Sequence, residues 1–338
     1  MSTAAMQLAH LIHLNSLLPA PILELGPAPV DLPDDVRSVA VEHLLESGLV
    51  DTGGTRLTPL GESLLGPLTA YTEAYWGMTL LHNQRQPVRF EVDDRWAEHL
   101  RETFVHADTP RVYFVCAYRD GVATFAVRNH DSVEITQSSV TGEGFAAATA
   151  KLLLTLGDPQ SQWRPLRTPV MSIPYDTLAS APPRRPEADS SAHEQGMYRR
   201  GTAQYIATLR SDQRGLDSRS LTALSKLLSY DHVASTQVLY SSGPQQLTPE
   251  HGATIDYFHA QGVAVSHPRH VGDGTYWKVI QSATVDAVGQ ALDALAALPG
   301  YAREPVGAGV VGNRAPEDII RELGIDPDMV LRDRRDQT

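Results

Sequence analysis

The chain has 338 residues, 42% of them hydrophobic, enough to bury a sizeable core in one large domain or two ordinary ones. Its formal net charge of −12 opposes a phosphate backbone, whereas a nucleic-acid-binding domain usually presents a basic face. Cys116 is the only cysteine, which excludes an intrachain disulfide and a thiolate-built zinc site; no run reaches the roughly 18 apolar residues of a membrane span, and Met1 to Gln7 lack the basic opening of a secretory signal, so the sequence predicts a cytosolic protein without membrane insertion.

In chain order, residues 5–18 carry apolar side chains at helical spacing and stop at Pro19, and residues 22–25 read as a short strand. Val36, Val39, Ala40, Leu44 and Leu45 form a helical stripe behind Asp34 and Asp35, with Gly48 where a left-handed C-terminal residue is expected. Thr58 and Pro59 supply the cap and first position of the next helix, through Leu64, Leu65 and Leu68. From Tyr75 the pattern turns to aromatic and β-branched runs, predicting strands over 76–81, 88–92, 112–118, 122–127 and 133–136. Arg119-Asp120-Gly121 predicts a tight hairpin turn. Phe145, Ala148, Leu152 and Leu156 then share one helical face, ended by Gly157-Asp158-Pro159.

Residues 181–195, with Pro182, Pro183, Pro186 and a serine pair, read as a linker or loop between an N-terminal α+β half (1–180) and a C-terminal α+β half (196–300). The second half reads as helices over 197–209 and 216–228, strands over 238–240, 255–259, 263–265 and 275–280, and a closing helix over 285–298 with a Val285, Val288, Leu292, Leu295 stripe. Helix, meander, helix thus occurs twice, before a polar tail over 301–338.

Few motifs carry chemistry. Residues 307–312 spell the dinucleotide fingerprint, but no strand leads into it, Pro305 interrupts its approach and too little chain follows to complete a βαβ unit, so no cofactor is expected. Residues 44–65 look like the last helix and wing of a winged-helix unit, which makes a transcriptional regulator the competing reading; yet Asp34, Asp35, Glu42 and Glu46 would face phosphate badly. The His10/His13 and His267/His270 pairs lack a third ligand at matching spacing, and Asp93/Asp94 and Glu98/Glu102 read as ordinary acidic pairs. No nucleophile elbow, P-loop or zinc-protease motif occurs, and no enzyme is expected.

The interval 82–109 is a long excursion between two strands, and such connections are usually functional or disordered. Phe90 and Val92 alternate like an edge strand, and Arg95, Trp96, His99 and Arg101 follow at roughly helical spacing. Trp and Arg are the types that most often dominate protein interfaces, so these six residues are the candidate partner-binding set, although Phe90 and Trp96 also fit ordinary packing on the sheet.

The order of short motifs resembles the EspG family of secretion-associated chaperones. The matching stretches are residues 21–25 (PILEL), 45–51 (LESGLVD), 57–59 (LTP), 75–78 (YWGM), the hairpin 113–127 with its continuation 129–133 (NHDSV), and, in the second half, 236–239 (TQVL), 252–258 and 274–279 (GTYWKV). The resemblance implies an α+β fold with a central, mostly antiparallel sheet, helical bundles, and two halves related by a quasi-two-fold. It further implies a cytosolic chaperone that binds PE–PPE-like heterodimers, or other helical ESX (type VII) secretion substrates, and keeps them soluble for export, as a monomer or weak homodimer. The family's partner surface implies a role for 82–109 and for the helix over 285–298.

Overall fold

The computed structural model describes residues 2–25, 32–82, 110–130, 132–158, 163–175, 177, 191–211, 216–244, 251–272 and 274–298. Met1–Ala302 forms one compact unit; a second, Arg303–Thr338, lies outside the described residues together with the 307–312 fingerprint.

Ten strands form one sheet: β1 (Ser2–Gln7), β2 (Glu73–Leu80), β3 (Arg111–Arg119), β4 (Val122–Asn129), β5 (Ser132–Ser139), β6 (Met171–Pro174), β7 (His232–Ser241), β8 (Ala253–Phe258), β9 (Gly262–His270) and β10 (Tyr276–Ser282). Their spatial order is β1-β5-β4-β3-β2-β7-β8-β9-β10-β6, with every neighbouring pair antiparallel. The helices are α1 (Leu8–Leu17), α2 (Asp34–Glu46), α3 (Pro59–Thr69), α4 (Gly142–Leu156), α5 (Ala192–Ser211), α6 (Ser218–Ser229) and α7 (Val285–Ala296). The expected α+β class with a central antiparallel sheet is what forms.

The duplication read from the sequence is written into the topology. Outward from the central β2/β7 pair lie β3, β4, β5 and β1 on one side and β8, β9, β10 and β6 on the other. Each half runs edge strand, helices, four-stranded meander, helix. The meanders form because short turns connect strands of alternating burial: Asp120 (φ 50°) and Gly121 (φ 81°) take the two positive-φ positions of a primed turn between Arg119 and Val122, as the sequence predicts.

One face of the sheet is covered by α4 and α7, whose Phe145, Leu153, Leu292 and Leu295 close over Tyr75, Phe114, Val238 and Ile255. On the other face α1, α2 and α3 pack over Val115, Ala126 and Ile135 in the first half, and α5 and α6 join Met171, Ile173 and Ile280 in the second. Thr58, Thr141, Asp217 and Thr284 cap α3, α4, α6 and α7 by accepting a backbone N–H, each worth about 1 kcal/mol.

Four local expectations change. Residues 2–7 form a strand rather than the start of the first helix: with a Ser-Thr-Ala-Ala-Met-Gln sequence they have little β preference, and the ladder to β5, with Met6 buried, decides their state. Residues 22–25 are not a strand; Leu23–Leu25 is a 3-10 turn, because the Ile22 amide donates to Asn15 Oδ1 (3.1 Å) and the Leu25 carbonyl accepts from Arg128 (2.9 Å). The short edge strand β6 escapes the sequence reading. Finally, α5 begins at Ala192, inside the segment read as linker, because Ser191 and Glu194 form a reciprocal capping box: Ser191 N–H donates to the Glu194 carboxylate (2.8 Å) and Glu194 N–H to Ser191 Oγ (3.2 Å).

Candidate functional site

Strand pairing fixes which side chains share a face. Opposite one another across β2 and β7 stand Ala74 and Ser241, Trp76 and Leu239, Met78 and Gln237, and Leu80 and Ser235. These point to the face that carries the two helical groups; the α1–α3 cluster covers β1, β5, β4 and β3 and takes in Ala74 and one flank of Trp76 on β2, while α5 and α6 reach β6, β10 and the Phe258/Ala264 corner. Among the described residues, Met78, Gln237 and Leu239 belong to none of these helical clusters. Gln237 is exposed and Trp76, Met78 and Leu239 are half-buried, whereas their in-strand neighbours on the other face, Tyr75, Thr79, Thr236 and Val238, are at most 2% exposed. An exposed residue on a central strand of a ten-stranded sheet marks an uncovered floor.

The strip has an apolar middle and polar margins. Trp76 Nε1 donates to Ser241 Oγ (2.9 Å), which fixes the indole plane. Ser235 on β7 donates to Asp256 Oδ1 on β8 (3.0 Å), and Thr254 on β8 meets Ser266 on β9 at 2.6 Å. His82 Nε2 lies 3.3 Å from Ser235 Oγ. On the first-half side the Arg128 guanidinium sits 5.3 Å over the Tyr113 ring. Large amphipathic rings, a thioether and satisfied hydroxyls suit protein recognition rather than bond-making.

Titratable groups agree. Burial pushes the Tyr71, Tyr75 and Tyr257 phenols up, and the Cys116 thiol up to about 12; all four are core positions. Among the described residues no three His, Cys, Asp or Glu side chains gather as metal ligands.

The six sequence-predicted partner residues, Phe90, Val92, Arg95, Trp96, His99 and Arg101, lie outside the described residues. The ends of their segment are placed: the Leu81 amide donates to the Pro110 carbonyl (3.0 Å), so the excursion leaves and returns beside Leu80, at one end of the open strip. The closing helix α7 offers no free apolar face. Val288, Leu292 and Leu295 are buried in the core, and its outward residues are Asp286, Gln290 and Asp293. The strip itself escaped sequence reading.

The winged-helix-like unit also resolves. The Val50↔Leu57 bridge closes a small wing, and the Asp51 carboxylate accepts the Thr55 (2.9 Å) and Arg56 (3.2 Å) amides, bonds that hold it below the usual carboxylate range. Asp34, Asp35, Glu42 and Glu46 are all exposed on α2, and Arg37 leans on Asp34 (3.7 Å), so this helix presents an acidic surface. The DNA reading is not favoured.

The fold is a two-halved α+β architecture with a partly exposed strip at the centre of its sheet. No protein-family model matches the chain, and no curated protein matches its sequence. Among solved structures, the type VII secretion system chaperone EspG5 of Mycobacterium tuberculosis, solved in complex with the PE25–PPE41 dimer, superposes with a TM-score of 0.58 at 14% identity, over 88% of this chain and 98% of that one. Full-length peroxisomal multifunctional enzyme type 2 from Drosophila melanogaster aligns at a TM-score of 0.13 and 11% identity, over 83% of this chain and 48% of that one, and carries no argument. The chain has an EspG-like fold.

Proposed function

We propose that this protein is a type VII secretion chaperone that binds a PE–PPE-like heterodimer, or another helical ESX substrate, in the cytosol and keeps its apolar surface covered until export. The observation that supports this reading is the partly exposed Trp76, Met78, Gln237, Leu239 strip in an EspG-like fold. A helix tip can bury its apolar face on such a floor while the polar margins set its register. Phe90, Val92, Arg95, Trp96, His99 and Arg101 are the proposed further contacts, on the segment that leaves at the end of the strip. The protein works by binding, without cofactor or catalytic step, as a monomer or weak homodimer. Its proposed organisation is two α+β halves, 1–180 and 196–300, with a tail over 301–338.

The test is co-expression of the tagged chain with a PE–PPE-like pair from its own genome, followed by size-exclusion chromatography. A three-chain complex that keeps the pair soluble is the expected result. A pair that stays insoluble, together with retention of duplex DNA by the free chain, would overturn the reading in favour of the regulator.

A further inference from the structure

We propose that a cleft between α6 and residues 163–170 binds an acidic segment of a protein partner. Two adjoining hollows, of about 310 and about 380 Å³, share Leu166, Arg167 and Tyr230. Arg164, Arg167, Arg219 and Lys226 line them, and among the described residues no Asp or Glu does. In a chain of net charge −12, four cations around one depression, with no carboxylate among the described residues of its wall, is a pronounced local reversal of sign.

Arg164 is engaged, donating to the Ala260 carbonyl, which leaves three cations for a partner. Among the described residues neither Arg167, Arg219 nor Lys226 has a carboxylate at ion-pair distance. The nearest acid on the same helix, Asp217, feels the charge of Arg219, but its Oδ1 is engaged in capping the Ser220 amide at 2.7 Å. Asp231 adjoins Tyr230 in sequence without lining either hollow.

The layout selects an extended acidic chain over a single compact oxyanion. Arg219, Thr222 and Lys226 lie on one side of α6, and seven residues of helix advance about 10 Å. That distance matches roughly three residues of extended peptide at about 3.3 Å each. A lone phosphate needs donors converging on one point, whereas these exposed side chains form a row along an open trough. Leu166, Leu227 and Tyr230 add apolar and aromatic wall for the stems of Glu or Asp side chains. Because exposed charge pairs are individually weak and screened by salt, binding is modest and strongly salt-dependent. The cleft shares no residue with the central strip, so the inference does not rest on the chaperone reading.

The experiment is fluorescence anisotropy of a labelled hexaglutamate peptide against the full chain at low salt, with tripolyphosphate as a second probe. The expected result is saturable peptide binding, lost by about tenfold or more in Arg219→Glu/Lys226→Glu and by less than about twofold in the charge-matched control Arg119→Glu/Arg210→Glu. Arg219→Gln/Lys226→Gln gives the same readout should the reversed pair fail to fold. Absence of saturable binding, equal losses in both double variants, or saturation by tripolyphosphate without peptide binding would each overturn the proposal, the last identifying a phosphate site instead. Cargo complex formation, measured in parallel on the cleft variants, stays intact if the two surfaces act separately, and its failure in the unaltered chain counts against the chaperone reading alone.

Discussion

Thr79 and Thr236 share a 2.8 Å hydrogen bond between hydroxyls that are both fully buried, at the seam where the two halves of the sheet meet. Thr236 also contacts the buried Tyr257 hydroxyl, which in turn donates to the Leu153 carbonyl at 2.7 Å. The seam is therefore tied to α4 as well as to itself. Thr79→Val strands one buried hydroxyl and is expected to cost about 1–2 kcal/mol. Thr236→Val deprives two partners and costs more, while the double Val variant costs less than the sum of the singles. Urea unfolding of the three variants measures each term.

Gly77 stands beside them, opposite Val238, with φ 154°. A Cβ there would lie 2.0 Å from the Gln237 carbonyl oxygen, a backbone atom that cannot move without parting β2 from β7. Gly77→Ala is expected to destabilise by more than about 2 kcal/mol. Gly289 is the contrast: it is buried in α7, and an added Cβ would meet nothing within 4 Å. Gly289→Ala should raise stability by about 0.5–1 kcal/mol, read from the same denaturation curves.

Gln237 is exposed, so a change there tests recognition apart from folding. Gln237→Arg is expected to shift stability by less than about 0.5 kcal/mol while reducing recovery of a PE–PPE-like cargo at least about tenfold. Trp96→Ala and Arg95→Glu are expected to weaken the same complex without unfolding the protein. Isothermal titration with purified cargo, beside a melting curve for each variant, separates the two effects.

Two histidines set an acid limit. Burial, and next the charge of His43, hold His10 below the ordinary histidine value; its Nδ1 accepts the Gln7 amide at 3.1 Å and the His43 ring meets it edge-on at 5.4 Å. Burial likewise lowers His267. In both cases the unfolded chain takes up the proton first, near pH 6.5. Their contribution to stability is therefore complete above about pH 6.5 and is lost as pH falls through the depressed folded values. The urea midpoint should be lower at about pH 5 than at about pH 7.5, and His10→Gln with His267→Gln should flatten that difference.

Much of the fold was legible because it rests on local chemistry. Asp120-Gly121 announces its turn, and Thr58-Pro59 and Thr284 announce their helices. The Ser191 to Glu194 box was equally visible in the sequence and was masked by the prolines before it. What stayed hidden depends on distant pairing. Ser2–Gln7 becomes a strand only because β5 offers an edge. The central strip was hidden for the same reason: Gln237 reads as an ordinary strand residue until β7 is known to lie against β2, whose Thr79 is 157 positions from Thr236.

The way the two halves join gives the sheet a dyad-like form. The strand order about β2 and β7 repeats in mirrored sequence, and the seam is a single antiparallel pairing in which Gly77 faces Val238 at the middle. That is the arrangement two identical chains adopt when each lends an open edge to the other across a dyad. The molecule thus has the form of a homodimer fused into one polypeptide. Because one chain carries both halves, they need not be alike, and three helices cover one while two cover the other.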